Sequence, residues 1–359
     1  YIDTRNSSSG SGGNIDISAS ESTLFSGQLG WTYSGLYSRT DGNGKGGNIS
    51  VTTPDLTVTE QGNISSRSWY AGGQAGDVLL NVGRLSITSG GSITADAFDE
   101  GKGGRVDITA TESVTITGKK EALISKAGTA TQYTADGGDV RISAPIVVLD
   151  DGASIYADSF GNGNSGNIHF NVGALSLTGG SQITAGAWGQ GKEGQGGDIA
   201  INASQSIFIG GSNPNNGYYS GLYTNTTSSG NAGNIRIVTP SLLMEQDGQL
   251  SAKTGLGASG NAGEIQLDVG MLSIRSGAGI GTESIYGGRG GDITVHASQS
   301  INISGESKDA PSGLFASTLF GGPGGNITLY SPRFFLDQGG KIQSITQGGD
   351  NAGHISINV

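Results

Sequence analysis

Residues 76–95 read Gly-Asp-Val-Leu-Leu-Asn-Val-Gly-Arg-Leu-Ser-Ile-Thr-Ser-Gly-Gly-Ser-Ile-Thr-Ala. Apolar and polar residues alternate here in three short bursts, Val78-x-Leu80, Leu85-x-Ile87 and Ile93-x-Ala95. That period of two belongs to half-buried strands, and no stretch offers a helical face. Each burst is too short to pair with its neighbour through a hairpin. Its backbone groups must therefore be satisfied by the equivalent burst of another unit.

Those other units are present. Aligned on a glycine, a polar residue and an apolar-x-apolar triplet, the signature recurs after Gly13, Gly47, Gly76, Gly104, Gly138, Gly166, Gly197, Gly233, Gly263, Gly291, Gly325 and Gly353. Taken three at a time, the first nine spacings span 91, 93 and 94 residues, so three unit types recur in fixed order. The first type carries a stretch such as Ala203-Ser204-Gln205-Ser206, then a long loop, then Ser-Gly-Leu-Tyr-like strands at residues 34–37, 220–223 and 312–315. The second has Thr-Pro at Thr53-Pro54 and Thr239-Pro240, with Ala144-Pro145 and Ser331-Pro332 in the other copies. Proline cannot donate to a ladder, so it is expected to end the first strand and turn the corner. The third reads Asn-Val-Gly-x-Leu-Ser at residues 81–86 and 171–176.

Strands that pair only with their counterparts one unit on make a three-faced parallel β-helix, an all-β β-solenoid of about 12 rungs. It is expected to be right-handed and, at ~4.8 Å per rung, on the order of 55 Å long. Gly90-Gly91, Gly179-Gly180 and Gly339-Gly340 fall at the corner between second and third strands, where left-handed dihedrals favour glycine. Residues 1–359 form one repeat segment; the chain opens within a third strand and stops after a first strand, as expected of a piece of a longer array.

Composition narrows the function. With 67 glycines, 34% hydrophobic and 14% charged residues, the chain matches neither an ordinary globular core nor a charged disordered one. A net charge of −11, with lysines and arginines scattered singly, argues against nucleic acid as a partner. No apolar run reaches the ~20 residues of a helical bilayer span, so membrane insertion is not expected. The absence of cysteine leaves the compartment open.

The motifs Gly-Gly-Asn-Ile-x-Ile, Leu-x-Ile-x-x-Gly-Gly-x-Ile and Ala-Ser-Gln-Ser-Ile-x-Ile-x-Gly run through essentially the whole chain. They resemble the repeat region of filamentous haemagglutinin-family exoproteins of bacteria. The resemblance implies export by an outer-membrane partner transporter (two-partner secretion) and display at the cell surface or release. It also implies a structural role in adhesion, aggregation or biofilm, without enzymatic activity or a cofactor. A self-assembling filament or surface-layer component and a polysaccharide-degrading β-helix enzyme are the alternatives.

Three groups of residues are candidates for sites. After the signature glycine stand Asn14, Asn48, Asp77, Asp139, Asn167, Asp198, Asn234, Asp292 and Asn326. Such a row could hold calcium, but Asn and Asp habitually bond their own backbone at turns, and the tandem Gly-Gly-x-Gly-x-Asp calcium signature does not recur. A structural ladder without metal is the expected reading. A second row, Trp69, Phe98, Phe160 and Trp188, stands five residues after the third-strand anchors and reads as corner packing. The long loops of the first unit type, with Phe25, Trp31, Tyr33, Tyr133, Tyr218 and Tyr219, differ between copies while the strands stay regular. Such loops, about 14 Å apart on one edge, are where a glycan or cell-surface receptor would be bound, or where rods would self-associate. No cluster of carboxylates or histidines suggests catalysis: Asp150-Asp151 and Asp99-Glu100 read as turn residues, and His169, His296 and His354 are isolated.

Overall fold

A computed structural model describes residues 1–30, 32–70, 72–189 and 193–359. Among the described residues there is no helix, and parallel strands stack into a β-solenoid of about twelve turns. One 12-stranded sheet collects the third strands, from Ile2–Asn6 and Gly35–Thr40 through Asn63–Ser68 and Ser92–Ala97 to Lys341–Gln343. A 14-stranded sheet collects the first and second strands. The register of the signature strands matches the sequence alignment: Val106 pairs with Val78 and Val140, and Ile93 with Ile64 and Ala127. It shifts only at the first corner of first-type units, as between Ala110 and Ser113.

The expected prolyl end to the first strand forms at Pro332, which lies between the strands Ile327–Tyr330 and Phe334–Asp337, but not in the other three copies. Ile49–Thr59, Val140–Asp150 and Ile235–Glu245 each run unbroken through Pro54, Pro145 and Pro240. The bend comes instead from a slip in phase. Ile49, Val51 and Thr53 face inward, Pro54 and Asp55 both face out, and Leu56 and Val58 face inward again. Two successive outward residues turn the chain without ending the ladder. Proline fits because its missing N–H falls at the slip. The Asn-Val-Gly unit follows on the next turn because the proline carbonyl is close: a Cβ on Gly83, Gly173 or Gly270 would lie 2.6, 2.4 or 2.3 Å from the oxygen of Pro54, Pro145 or Pro240.

The second corner uses the left-handed region, as the glycine pairs suggest: Gly90, Gly179, Gly180 and Gly339 have φ of +78°, +60°, +78° and +89°. Ser89, Asp151, Asp247 and Gln338 also adopt positive φ there. The third corner is the tightest. Each signature glycine returns from a third strand, and its N–H commonly bonds the carbonyl nine residues earlier, as Gly166 does to Ala157 (3.0 Å) and Gly291 to Thr282 (2.9 Å). Thr129, Thr224 and Thr282 close the same corner from the side, donating to the oxygens of Gly138, Gly233 and Gly291 at 2.6, 2.6 and 2.5 Å.

The inward residues of all three strands form one continuous apolar column from Ile15 to Leu329. Large residues such as Ile93, Ile155 and Leu250 head the third strands, and small ones such as Ala95, Ala157 and Ala252 follow where the closing corner presses in.

The closing corner admits no side chain. A Cβ on Gly166 would stand 1.9 Å from the oxygen of Gly138, whereas one on Gly349 would meet nothing within 4 Å. Gly166→Ala is therefore expected to cost about 3 kcal/mol or more in chemical denaturation, and Gly349→Ala less than about 0.5 kcal/mol. Equal effects would show that the corner yields.

Candidate functional site

Four loops interrupt the otherwise regular body among the described residues: 27–34, 118–125, 211–220 and 305–312. All leave the corner between second and third strands of the first unit type. All have the same base, in which Ser34, Ser125, Ser220 and Ser312 donate their backbone N–H to the oxygens of Gly27, Gly118, Gly211 and Gly305 at 2.9, 3.0, 2.9 and 3.0 Å. Those four glycines have φ between +74° and +92°, which lets the chain leave the rung and return. The serine hydroxyls of the last three accept from Gly90, Gly180 and Gly277 of the preceding turn, at 3.1, 2.9 and 2.9 Å. Each loop closes as a short antiparallel pair, for example Gln28 with Tyr33 and Lys119 with Ile124.

The tyrosine of Ser-Gly-Leu-Tyr pins its loop from below. Tyr37 Oη donates to the Tyr33 carbonyl (3.3 Å), and Tyr223 Oη donates to that of Tyr219 (3.0 Å). Burial raises both phenolic pKa values, that of Tyr37 to about 12. Tyr219 Oη donates to Asp309 Oδ2 (3.3 Å), joining the third loop to the fourth, and Lys120 bonds Glu60 beside the second. Tyr218 and Leu29 project into solvent, 60% and 89% exposed.

Of the aromatic residues expected on these loops, Tyr33, Tyr218 and Tyr219 lie there, and Trp31 lies outside the described residues. Tyr133 does not belong with them. It follows the third strand Lys126–Thr131, at the closing corner, with φ of +58°. The extra residues between Gly104 and Gly138 fall at the first corner, between Ala110 and Ser113, and in the loop 118–125, so Tyr133 belongs to a closing turn of ordinary length, nine residues from Thr129 to Gly138. Phe25 likewise belongs to the second strand Ser22–Ser26 and packs on the core.

The Asn and Asp residues after the signature glycine do line up, though not by bonding their own turns. In all nine cases the side-chain oxygen accepts the backbone N–H of the equivalent residue one turn on. Asn14 accepts from Asn48 (2.9 Å), Asn48 from Asp77 (3.0 Å) and Asp77 from Arg105 (2.9 Å). Asp139, Asn167 and Asp198 accept from Asn167, Asp198 and Asn234 at 3.0, 3.0 and 2.8 Å. Asn234, Asp292 and Asn326 accept from Glu264, Asn326 and His354 at 2.9, 2.8 and 2.9 Å. A second ladder three residues upstream, through Asp136, Asn164, Asn231 and Asn261, escaped the sequence reading. Its signal is the recurring polar-x-Gly-polar spacing.

The feature least legible in sequence is a cleft of about 540 Å³ on the outer face of the third-strand sheet, between the first two loops. Tyr33 belongs to one wall, Leu123 and Ile124 to the other, and Tyr37, Arg39, Asn63, Arg67, Ser92 and Lys126 form the floor. The register stacks Asn63, Ser92 and Lys126 in one column and Arg39 and Arg67 in another. Arg39 pairs with Asp3, and Arg67 Nε stands 4.0 Å from Asp96 Oδ2. Burial pulls the Lys126 pKa down and pushes that of Asp96 up.

Further along the same face, Trp69 and Phe98 stack at 4.5 Å. The buried Asp158 carboxylate accepts from Thr184 Oγ1 (2.8 Å), the Gly186 N–H (2.8 Å) and the Trp188 side chain. Among the described residues, no three His, Asp or Glu side chains converge so as to hold a metal ion. No protein-family model, curated protein or solved structure matches the chain.

Burial raises the Asp158 pKa to about 6 against its three donors. A folded-state pKa above the unfolded one favours the folded state fully below the unfolded value and loses that advantage as pH rises through the folded value. The thermal midpoint is therefore expected to fall as pH rises from about 4 to about 6, and Asp158→Asn to flatten that slope. An unchanged slope in the variant would assign it to other groups.

Proposed function

We propose that this chain is a rod segment of a secreted or cell-surface exoprotein of the filamentous haemagglutinin type. A partner transporter of the bacterial outer membrane would export it. Its part is architectural and adhesive: the solenoid supplies length and stiffness, and the corner loops supply contact with a glycan or receptor on a neighbouring surface. The observation that carries this reading is the placement of four loops of different sequence on one corner, each with the same glycine-to-serine base, every third turn of a regular body. A scaffold that repeats while its insertions vary separates stability from recognition. Weak contacts in a row along one edge add through avidity.

Beads carrying the purified chain are expected to adhere to target cells or glycan-coated surfaces. Replacing residues 28–33 and 212–219 by short Asn-Gly turns is expected to lower adhesion at least several-fold while the β-type circular dichroism is retained. Unchanged adhesion with these two loops and residues 119–124 and 306–311 all replaced would overturn the assignment of recognition to the loops. Depolymerisation of a glycan by fresh protein would overturn the non-enzymatic reading.

A further inference from the structure

The cleft between the first two corner loops narrows the chemistry of the ligand; this step rests on the reading above, that the loop edge recognises something. In a chain of net charge −11, Arg39, Arg67 and Lys126 line the cleft, and no Asp or Glu does among the described residues. The acids that balance these cations stand outside the lining, at Asp3 and Asp96. The Lys126 ammonium lies over the Tyr156 ring, 5.3 Å from its centroid. Walls of low dielectric strengthen the positive potential that results.

Three polar atoms of the lining are buried without a hydrogen-bond partner: Arg67 Nε, Asn63 Oδ1 and Ser92 Oγ. Ser92 is only 8% exposed. These atoms lie just beneath the cleft surface; buried polar groups are normally partnered, so three orphans under one cleft mark groups that a ligand would satisfy on a small shift of their side chains. Their types differ. Arg67 Nε needs an acceptor, Asn63 Oδ1 needs a donor, and Ser92 can serve as either. A bare anion such as sulfate would answer the cations but offer Asn63 nothing. An arginine edge matches a planar carboxylate through paired hydrogen bonds. Tyr33 and Tyr37 on one side, with Leu123 and Ile124 on the other, present apolar surfaces to the C–H faces of a ring. The volume lies within the range of small-ligand clefts, roughly 300–1,000 Å³.

We infer that this cleft binds a carboxylated saccharide, its carboxylate held by Arg67 and Lys126, a hydroxyl donated to Asn63 Oδ1, and its ring held between the tyrosines and the apolar wall of the second loop.

Isothermal titration of the full chain with a galacturonic acid trimer tests this directly. The acid is expected to bind, with its methyl ester at least ten-fold weaker. Lys126→Gln and Arg67→Gln are each expected to weaken the acid at least ten-fold with circular dichroism unchanged. Should Arg67→Gln not fold, Lys126→Gln and the ester comparison decide. Silence with the acid, equal binding of the ester, or tighter binding of a sulfated galactose trimer would each overturn the assignment. If the acid fails while beads still adhere through the loops, the cleft assignment alone falls; if adhesion fails as well, the adhesive reading falls with it.

Discussion

The closing corner, where each signature glycine passes over the one before it, constrains everything else in this molecule. From Gly47 to Gly353, a Cβ at any of the eleven stacked positions would lie 1.9 to 2.3 Å from the carbonyl oxygen of the preceding glycine. Contact that close leaves room for backbone alone. It also sets the residue opposite: the third strand carries Ala, Ser or Thr at the position pressed against the corner, and where a hydroxyl is available it bonds a glycine carbonyl. The closing turn itself varies only from nine residues (Ala157 to Gly166) to twelve (Ala185 to Gly197), and the larger length variation falls on the other corners. The long insertions of the first unit type accordingly leave from the corner between second and third strands.

That division decides how much could be read from sequence. The ladders, the inward residues and the three unit types follow from spacing alone, because in-register parallel stacking makes a residue's partner the same position one repeat on. Ile93 between Ile64 and Ala127 is an instance. The path of a corner does not follow from spacing. Pro54 lies inside a strand because the bend needs only two consecutive outward residues. Tyr133 stands at the closing corner because the extra length of its unit is taken up before it, in residues 118–125, which spacing alone does not say. The cleft was hidden for a third reason. Arg39, Arg67 and Lys126 are separated by 28 and 59 residues, and only the register together with the fold of two loops brings them to the floor of one cleft.

The Asn and Asp ladder joins sequence pattern to energetics. A side-chain oxygen that accepts the N–H of the next turn fills a backbone donor at a corner where the β-ladder is interrupted, which would otherwise go unpaired. Either Asn or Asp can do this, and the choice between them follows charge. Stacking would place neighbouring carboxylates one turn, about 4.8 Å, apart, where they repel. Asp77 and Asp139 are separated by Arg105, and Asp139 and Asp198 by Asn167. Asn167, Asn234 and Asn326 each follow an aspartate and turn their amide towards it, at 3.4, 3.1 and 3.3 Å. Glu264 and Asp292 are the one acidic pair on adjacent turns, and there Arg289 holds both oxygens of Asp292 at 2.7 and 2.9 Å.

The same rule, applied to the third-strand face, explains why a cationic cleft can exist in an acidic protein. Arg5, Arg39 and Arg67 stack on three successive turns, an arrangement that would repel if left alone. Asp41 answers Arg5, Asp3 answers Arg39 and Asp96 approaches Arg67, so each acid comes from an adjacent turn. The pairing loosens along the column, because Asp96 Oδ2 stands 4.0 Å from Arg67 Nε, beyond hydrogen-bond reach. A regular solenoid would close such a gap with another acid on the next turn, yet the neighbouring column supplies Lys126. Positive charge is thus left over at the place where the two loops exclude solvent on either side. Recognition on a repeat scaffold can arise this way, from one break in an otherwise balanced stack.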